Sequence, residues 1–121
     1  MAKKVPEVFE SEYELMLIIW KNNPIRMKQL VADAFEVRQW KRTTVYTMIK
    51  RLGDRGIVTF EDGVVTAQYS KDEVQLSKAV DFMDKIYDGK VSNLMSAFVD
   101  KKEISKDEAT EIKKMLDDYL G

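Results

Sequence analysis

The stretch Trp40-Lys41-Arg42-Thr43-Thr44-Val45-Tyr46-Thr47-Met48-Ile49-Lys50-Arg51-Leu52-Gly53-Asp54-Arg55-Gly56-Ile57-Val58 decides how the chain is read. At helical spacing Val45, Met48, Ile49 and Leu52 share one face. The opposite face carries Arg42, Thr43, Tyr46, Thr47 and Lys50, all hydrogen-bonding or cationic. Lys41, Arg42, Lys50, Arg51 and Arg55 set against Asp54 give the stretch a local net charge of +4. A helix of this kind can lie in the DNA major groove, small polar groups reaching base edges and flanking cations gripping phosphates. The same composition also suits a solvated surface helix, so the flanking sequence has to decide.

Upstream, Ser11-Glu12-Tyr13-Glu14 has the capping-box pattern, with Ser at the N-cap and Glu three residues on. The helix it opens is expected to bury Leu15, Met16, Ile19 and Trp20, and Asn22-Asn23-Pro24 stops it. A short helix over about Met27 to Phe35 turns Leu30, Val31 and Ala34 inward. Arg26 makes a weak cap there. A linker over Glu36 to Gln39 leads to the Trp40 helix, whose start Thr43 or Thr44 can cap. Gly56 suits the left-handed position after it. Helix, short helix, turn and basic amphipathic helix form the helix-turn-helix order, in which the last helix reads.

Downstream the period becomes two. Ile57 to Phe60, a turn at Asp62-Gly63 and Val65 to Tyr69 read as a two-stranded hairpin. A hairpin directly after a reading helix is a wing. Glu61 and Asp62 make it a poor minor-groove probe, so any DNA contact there would fall to backbone amides.

Two more capping boxes follow, Ser70-Lys71-Asp72-Glu73 and Ser105-Lys106-Asp107-Glu108. The first opens a helix with Val74, Leu76, Ala79, Val80, Met83, Ile86 and Tyr87 on a wide apolar face, ending at Asp88-Gly89. A shorter helix carries Val91, Leu94, Met95 and Phe98. The last carries Ala109, Ile112, Met115, Leu116, Tyr119 and Leu120. Three such helices in about 50 residues make too little core to stand alone. They either fold back on the winged part or pair with a second chain. Pairing is favoured, because a helix-turn-helix gains affinity and site length across two half-sites.

The fold class predicted is mainly α with a small β-hairpin: a winged helix-turn-helix over residues 1–70, then a helical dimerisation region over 71–121. Residues 1–9 read as a loose arm whose Lys3 and Lys4 could touch backbone phosphates.

The chain has 121 residues, no cysteine, no histidine and a net charge of −1. Disulfides, thiolate nucleophiles and Cys-ligated zinc are therefore excluded, as are Ser/His and Cys/His catalytic arrangements. No glycine-rich phosphate loop occurs, and the acids alternate with lysines rather than clustering. An enzyme, a metal site and a cofactor are all unexpected. Residues 1–70 carry a net +2 and residues 71–121 a net −3, which keeps the acidic end away from phosphates. With no apolar run near 18 residues and no apolar signal core, a soluble, cytoplasmic protein without membrane insertion is expected.

The residues resemble a family, the BlaI/MecI/CopY-type or penicillinase repressors, from about Phe9 to Leu120. The likeness is sharpest at Glu12-Tyr13-Glu14-Leu15-Met16, Ile19-Trp20, Trp40, Thr43 to Leu52 and Gly56-Ile57-Val58. It continues at Phe82, Tyr87-Asp88-Gly89, Leu94 and Phe98. The resemblance implies a bacterial homodimeric repressor on a palindromic double-stranded DNA operator, with an N-terminal winged helix and an interleaved C-terminal helical region. In the penicillinase branch it further implies a membrane-bound sensor protease that triggers cleavage before a Phe matching Phe98. Ala97-Phe98 is therefore the candidate cleavage site, although that branch usually carries Asn where this chain has Ala97. The copper-sensing branch reads its signal through Cys-x-Cys motifs, which this chain lacks.

Thr43, Thr44, Tyr46 and Thr47 align with the family's base-reading segment. Capping and surface polarity are the plain alternatives, most of all for Thr44. Arg42, Lys50 and Arg51 are assigned to phosphates. Tyr46 is the strongest specificity candidate, Trp40 an anchor for the helix start and Trp20 core. Phe82, Met83, Ile86, Tyr87, Leu94, Phe98, Leu116 and Tyr119 are the dimer-interface candidates, and the seven methionines read as core filler. The alternative is a winged-helix module that binds a protein instead of DNA, which the acidic balance supports.

Overall fold

A computed structural model describes residues 4–121. In chain order the elements are α1 (Glu10–Lys21), β1 (Ile25–Arg26), α2 (Met27–Arg38), α3 (Arg42–Asp54), β2 (Val58–Glu61) and β3 (Val64–Ala67). Then come α4 (Lys71–Ile86), α5 (Val91–Asp100) and α6 (Lys106–Leu120). The chain divides into two compact units, the first ending at Lys78 and the second running Ala79–Gly121, so the division falls within α4.

The first unit holds the core. Leu15, Met16 and Ile19 of α1 meet Leu30 and Ala34 of α2 and Val45, Met48, Ile49 and Leu52 of α3. Ile57, Val58, Val65, Tyr69 and Val74 close it from the sheet side and the start of α4. The apolar residues recur at helical spacing, so each helix presents one stripe inward and hydrophobic burial fixes its rotation. Trp20 and Val31, expected inside, sit half-buried at the edge of the core. Trp20 there donates its indole N–H to the Tyr69 carbonyl at 2.9 Å and meets Tyr13 edge-on at 5.7 Å.

The sheet has three strands in the order β1-β3-β2, not the two of a simple hairpin. Ile25 pairs with Val65 and Arg26 with Val64, and Asn23 Oδ1 accepts from the Ala67 amide at 2.9 Å. A two-residue strand shows no period of its own, so only the approach of β3 defines it. The wing turn is the tight one expected. Glu61 faces Val64 across a two-residue loop in which Asp62 has φ 52° and Gly63 φ 75°, as a type I′ turn requires.

Several boundaries move. Helix α1 begins at Glu10 with Phe9 at its N-cap, not at Ser11. Glu12, rather than Glu14, reaches back to the Phe9 amide, at 2.9 Å. Phenylalanine has no acceptor, so only this half of a capping box is built. Helix α2 continues through the expected linker to Arg38, whose guanidinium pairs with Glu14 of α1 and ties down the last turn. Gln39 then ends it at φ 58°. Lys41, not a threonine, is the N-cap of α3, and Thr43 and Thr44 lie inside the first turn.

Over the described residues from Val5 onward, the expected loose arm is fastened instead. Val8 is buried and Val5 packs on the core. The Glu7 carbonyl accepts from Arg55 and the Val8 carbonyl from Lys78. Lys4 is exposed; Lys3 lies outside the described residues.

Around α4, the Ser70/Glu73 capping box is complete, with reciprocal bonds of 3.0 and 2.9 Å. Asp88 and Gly89 both take positive φ after the helix. Ser105 caps α6 by accepting from the Glu108 amide at 3.0 Å. In the second unit no described hydrophobic residue is buried within the lone chain. No helix among the described residues is long and apolar enough to cross a membrane.

Candidate nucleic-acid interface

Four buried residues of α3 fix its rotation, and everything on the other side is thereby displayed. Arg42, Thr43, Thr44, Tyr46, Thr47, Lys50 and Arg51 are all exposed. All of them but Arg42 line one or both of two hollows that share Thr47. One, of about 340 Å³ at the N-terminal end of α3, is lined by Ser11, Trp40, Thr43, Thr44, Thr47, Met48 and Arg51. The other, of about 620 Å³, runs between α3 and the wing and includes Tyr46, Thr47, Lys50, Asp54, Thr59 and Phe60. Trp40, half-buried against the core, forms a wall of the first hollow.

The polar groups are not equally free. Thr47 donates its hydroxyl to the Thr43 carbonyl at 2.9 Å, so its outward-facing capacity is its oxygen lone pairs and its methyl. Lys50 Nζ lies 3.4 Å from Asp54 Oδ2, with both side chains largely in solvent. An exposed pair one helical turn apart is weak and yields readily to a phosphate. Arg42 places its guanidinium carbon 5.2 Å from the centre of the Tyr46 ring, and its Nη2 is 3.5 Å from the phenol oxygen. The same ring meets Phe60 of β2 nearly perpendicular, centroids 6.1 Å apart. Tyr46 is thus in contact with the wing as well as projecting from the helix.

Arg55 leaves the group. Its guanidinium turns to Glu12 and to the Glu7 carbonyl, with the Phe9 ring 5.2 Å from its carbon. Burial alone would raise the Glu12 pKa. The Arg55 hydrogen bond, the Phe9 amide and the charges of Arg55 and Arg51 outweigh that and hold it below the ordinary value. The basic run therefore contains one structural cation whose role a charge count does not distinguish.

Phe60 was not among the sequence candidates. Its signal was present: in β2 it shares the face of buried Val58, two residues nearer the turn, where an aromatic can reach past the core to α3.

In the second unit Phe82, Ile86, Phe98, Leu116 and Tyr119 are exposed, while Met83, Tyr87 and Leu94 are half-buried. The Phe82 and Tyr87 rings lie 6.0 Å apart. Ala97 and Phe98 sit inside α5, so the bond between them is helical.

Three helices with α3 last, a strand from the α1–α2 connection and a hairpin directly after α3 define a winged helix-turn-helix protein. The chain belongs to the penicillinase repressor family, whose model matches residues 9–118. It is 24% identical over 121 residues to the penicillinase repressor of Bacillus licheniformis, covering 97% of this chain and 94% of that one. It is 28% identical over 120 residues to the methicillin resistance regulatory protein MecI of Mammaliicoccus sciuri, covering 96% and 98%. Among solved structures, the DNA-binding domain of the repressor BlaI superposes with a TM-score of 0.52 at 26% identity, over 60% of this chain and 93% of that one. The Bacillus licheniformis BlaI monomeric form in complex with the blaP half-operator matches with the same TM-score, identity and coverage.

Proposed function

We propose that this protein is a sequence-specific DNA-binding transcriptional repressor that holds a palindromic operator as a homodimer. The observation that carries the reading is α3: four apolar residues anchor it while seven donor or cationic residues stand exposed beside a wing. In this reading Thr43, Tyr46 and Thr47 meet base edges, with Thr44 at their flank. Arg42, Lys50 and Arg51 meet phosphates. The match to BlaI, solved on a half-operator, supports DNA as the partner of this unit.

Residues 1–70 read and residues 71–121 dimerise. Support for the second role is the exposed apolar surface of Phe82, Ile86, Phe98, Leu116 and Tyr119, which a second copy covers. Repression places the protein in the cytoplasm. Release by a membrane-bound sensor protease cutting at Ala97-Phe98 first requires α5 to open, because proteases bind extended chain and this bond is helical.

The test is selection of random duplexes by the purified protein at about 150 mM salt, followed by sequencing. Enrichment of a two-fold symmetric motif, half-sites about one helical turn apart, is the expected result. Salt-sensitive background binding with no enriched motif would instead favour a winged-helix module for a protein partner.

A further inference from the structure

The contacts among Arg42, Tyr46 and Phe60 form a continuous stack from the first turn of α3 to the wing. From it we propose that Phe60 is a specificity-determining positioning residue: it braces Tyr46, and through Tyr46 holds the Arg42 guanidinium in a fixed place. The inference rests on the DNA-reading role of α3.

Three features make the stack more than surface packing. Phe60 is 42% and Tyr46 37% exposed, so the pair contributes less to the core than a buried aromatic would. The geometry is specific, one ring edge-on to its neighbour and a cation over the shared ring, which attracts beyond area burial. And the stack joins the two elements whose relative position decides which groups reach a groove together. An unsupported arginine on a first helical turn samples many rotamers, each reaching a different phosphate. An arginine laid on a braced ring arrives in one, and phosphate contacts of that kind set the register in which bases are read. Glu61 and Asp62 beside Phe60 repel phosphate, so the wing strand contributes to recognition by bracing α3 rather than by gripping DNA.

The experiment compares full-length wild type, Phe60→Ala and Phe60→Tyr, with folding checked by circular dichroism. In the free protein, NMR relaxation of the Arg42 side-chain Nε–H measures how fixed the guanidinium is. In complexes, the ratio of affinity for the selected operator to that for random duplex measures specificity. Phe60→Ala is expected to free Arg42 and to lower that ratio about tenfold, while low-salt binding to random duplex changes less than about twofold. Phe60→Tyr, which keeps the ring, restores both. Unchanged Arg42 mobility, or full selectivity in Phe60→Ala, would overturn the proposal while leaving α3 as the reader. A wild-type protein with no sequence preference at all would remove the DNA reading itself, and the role of Phe60 with it.

Discussion

Arg55 and Lys50 are the same kind of residue in a sequence and different kinds in the fold. Both are cations on a basic run, yet Arg55 is committed to Glu12, which is 4% exposed, while Lys50 stands in solvent. Neutralising Glu12 leaves the part-buried Arg55 guanidinium bonded to the Glu7 carbonyl but without its counter-ion. Glu12→Gln is therefore expected to lower unfolding free energy at neutral pH by roughly 1–3 kcal/mol, read from urea melts. The pH dependence has a definite sign. The folded pKa of Glu12 lies below its ordinary value of 4.5, so its contribution is complete above that value and is lost as pH falls through the folded one. The acid limb of stability against pH should be flatter in Glu12→Gln than in wild type. An identical limb would mean that other carboxylates govern acid unfolding. A second contrast concerns DNA. Lys50→Ala should weaken binding to all duplexes alike and reduce the salt slope by about one, whereas Arg55→Ala should leave that slope unchanged. A lowered slope in Arg55→Ala would return Arg55 to the binding face.

At the scale of elements, the wing turn is the place where sequence and backbone agree most closely. Asp62 and Gly63 both take positive φ, and nothing lies within 4 Å of a Cβ placed on Gly63. The cost of a side chain there is thus conformational and not steric. Gly63→Ala should destabilise by about 1 kcal/mol, and Gly63→Asn by less, because asparagine tolerates the left-handed region. Equal melting points for wild type and Gly63→Ala would show that the turn relaxes without loss. This element was legible because its signal is local: two turn residues between runs of period two. The apolar stripe of α3 and the Ser70/Glu73 box were legible for the same reason. What could not be read depends on distant partners. The β1 strand exists only because β3 lies beside it. The last turn of α2 is held by Arg38 on Glu14, 24 residues away. The α1 N-cap falls at Phe9 because Glu12 serves both that amide and Arg55, where Ser11 and Glu14 offered the better local pattern. Likewise the exposed residues of α3 were visible from periodicity, but Phe60 needed the approach of strand to helix.

The whole molecule presents an imbalance between its units. The first encloses every described residue of the hydrophobic core, whereas in the second Leu116 and Tyr119 are 55% and 86% exposed in a lone chain. The helices there are nonetheless regular and strongly amphipathic, which is the pattern of surfaces made to be covered. If a second copy covers them, a charge placed among them must be buried unpaired on association, and association fails. Leu116→Glu and Phe98→Glu are accordingly expected to sediment as monomers at concentrations where wild type is dimeric. Their first unit should be untouched, since neither residue belongs to its core. The functional loss should be of a particular kind. Two linked reading units bind a palindrome with the second contact made intramolecular, so losing the link should cost operator affinity about a hundredfold or more. Affinity for a single half-site should stay within about threefold of wild type, because the face of α3 is unchanged. Sedimentation and half-site binding together separate the possibilities. A dimeric Leu116→Glu protein would move the interface elsewhere. A monomer that also loses half-site affinity would mean that the second unit supports the reading face directly, not only by joining two of them.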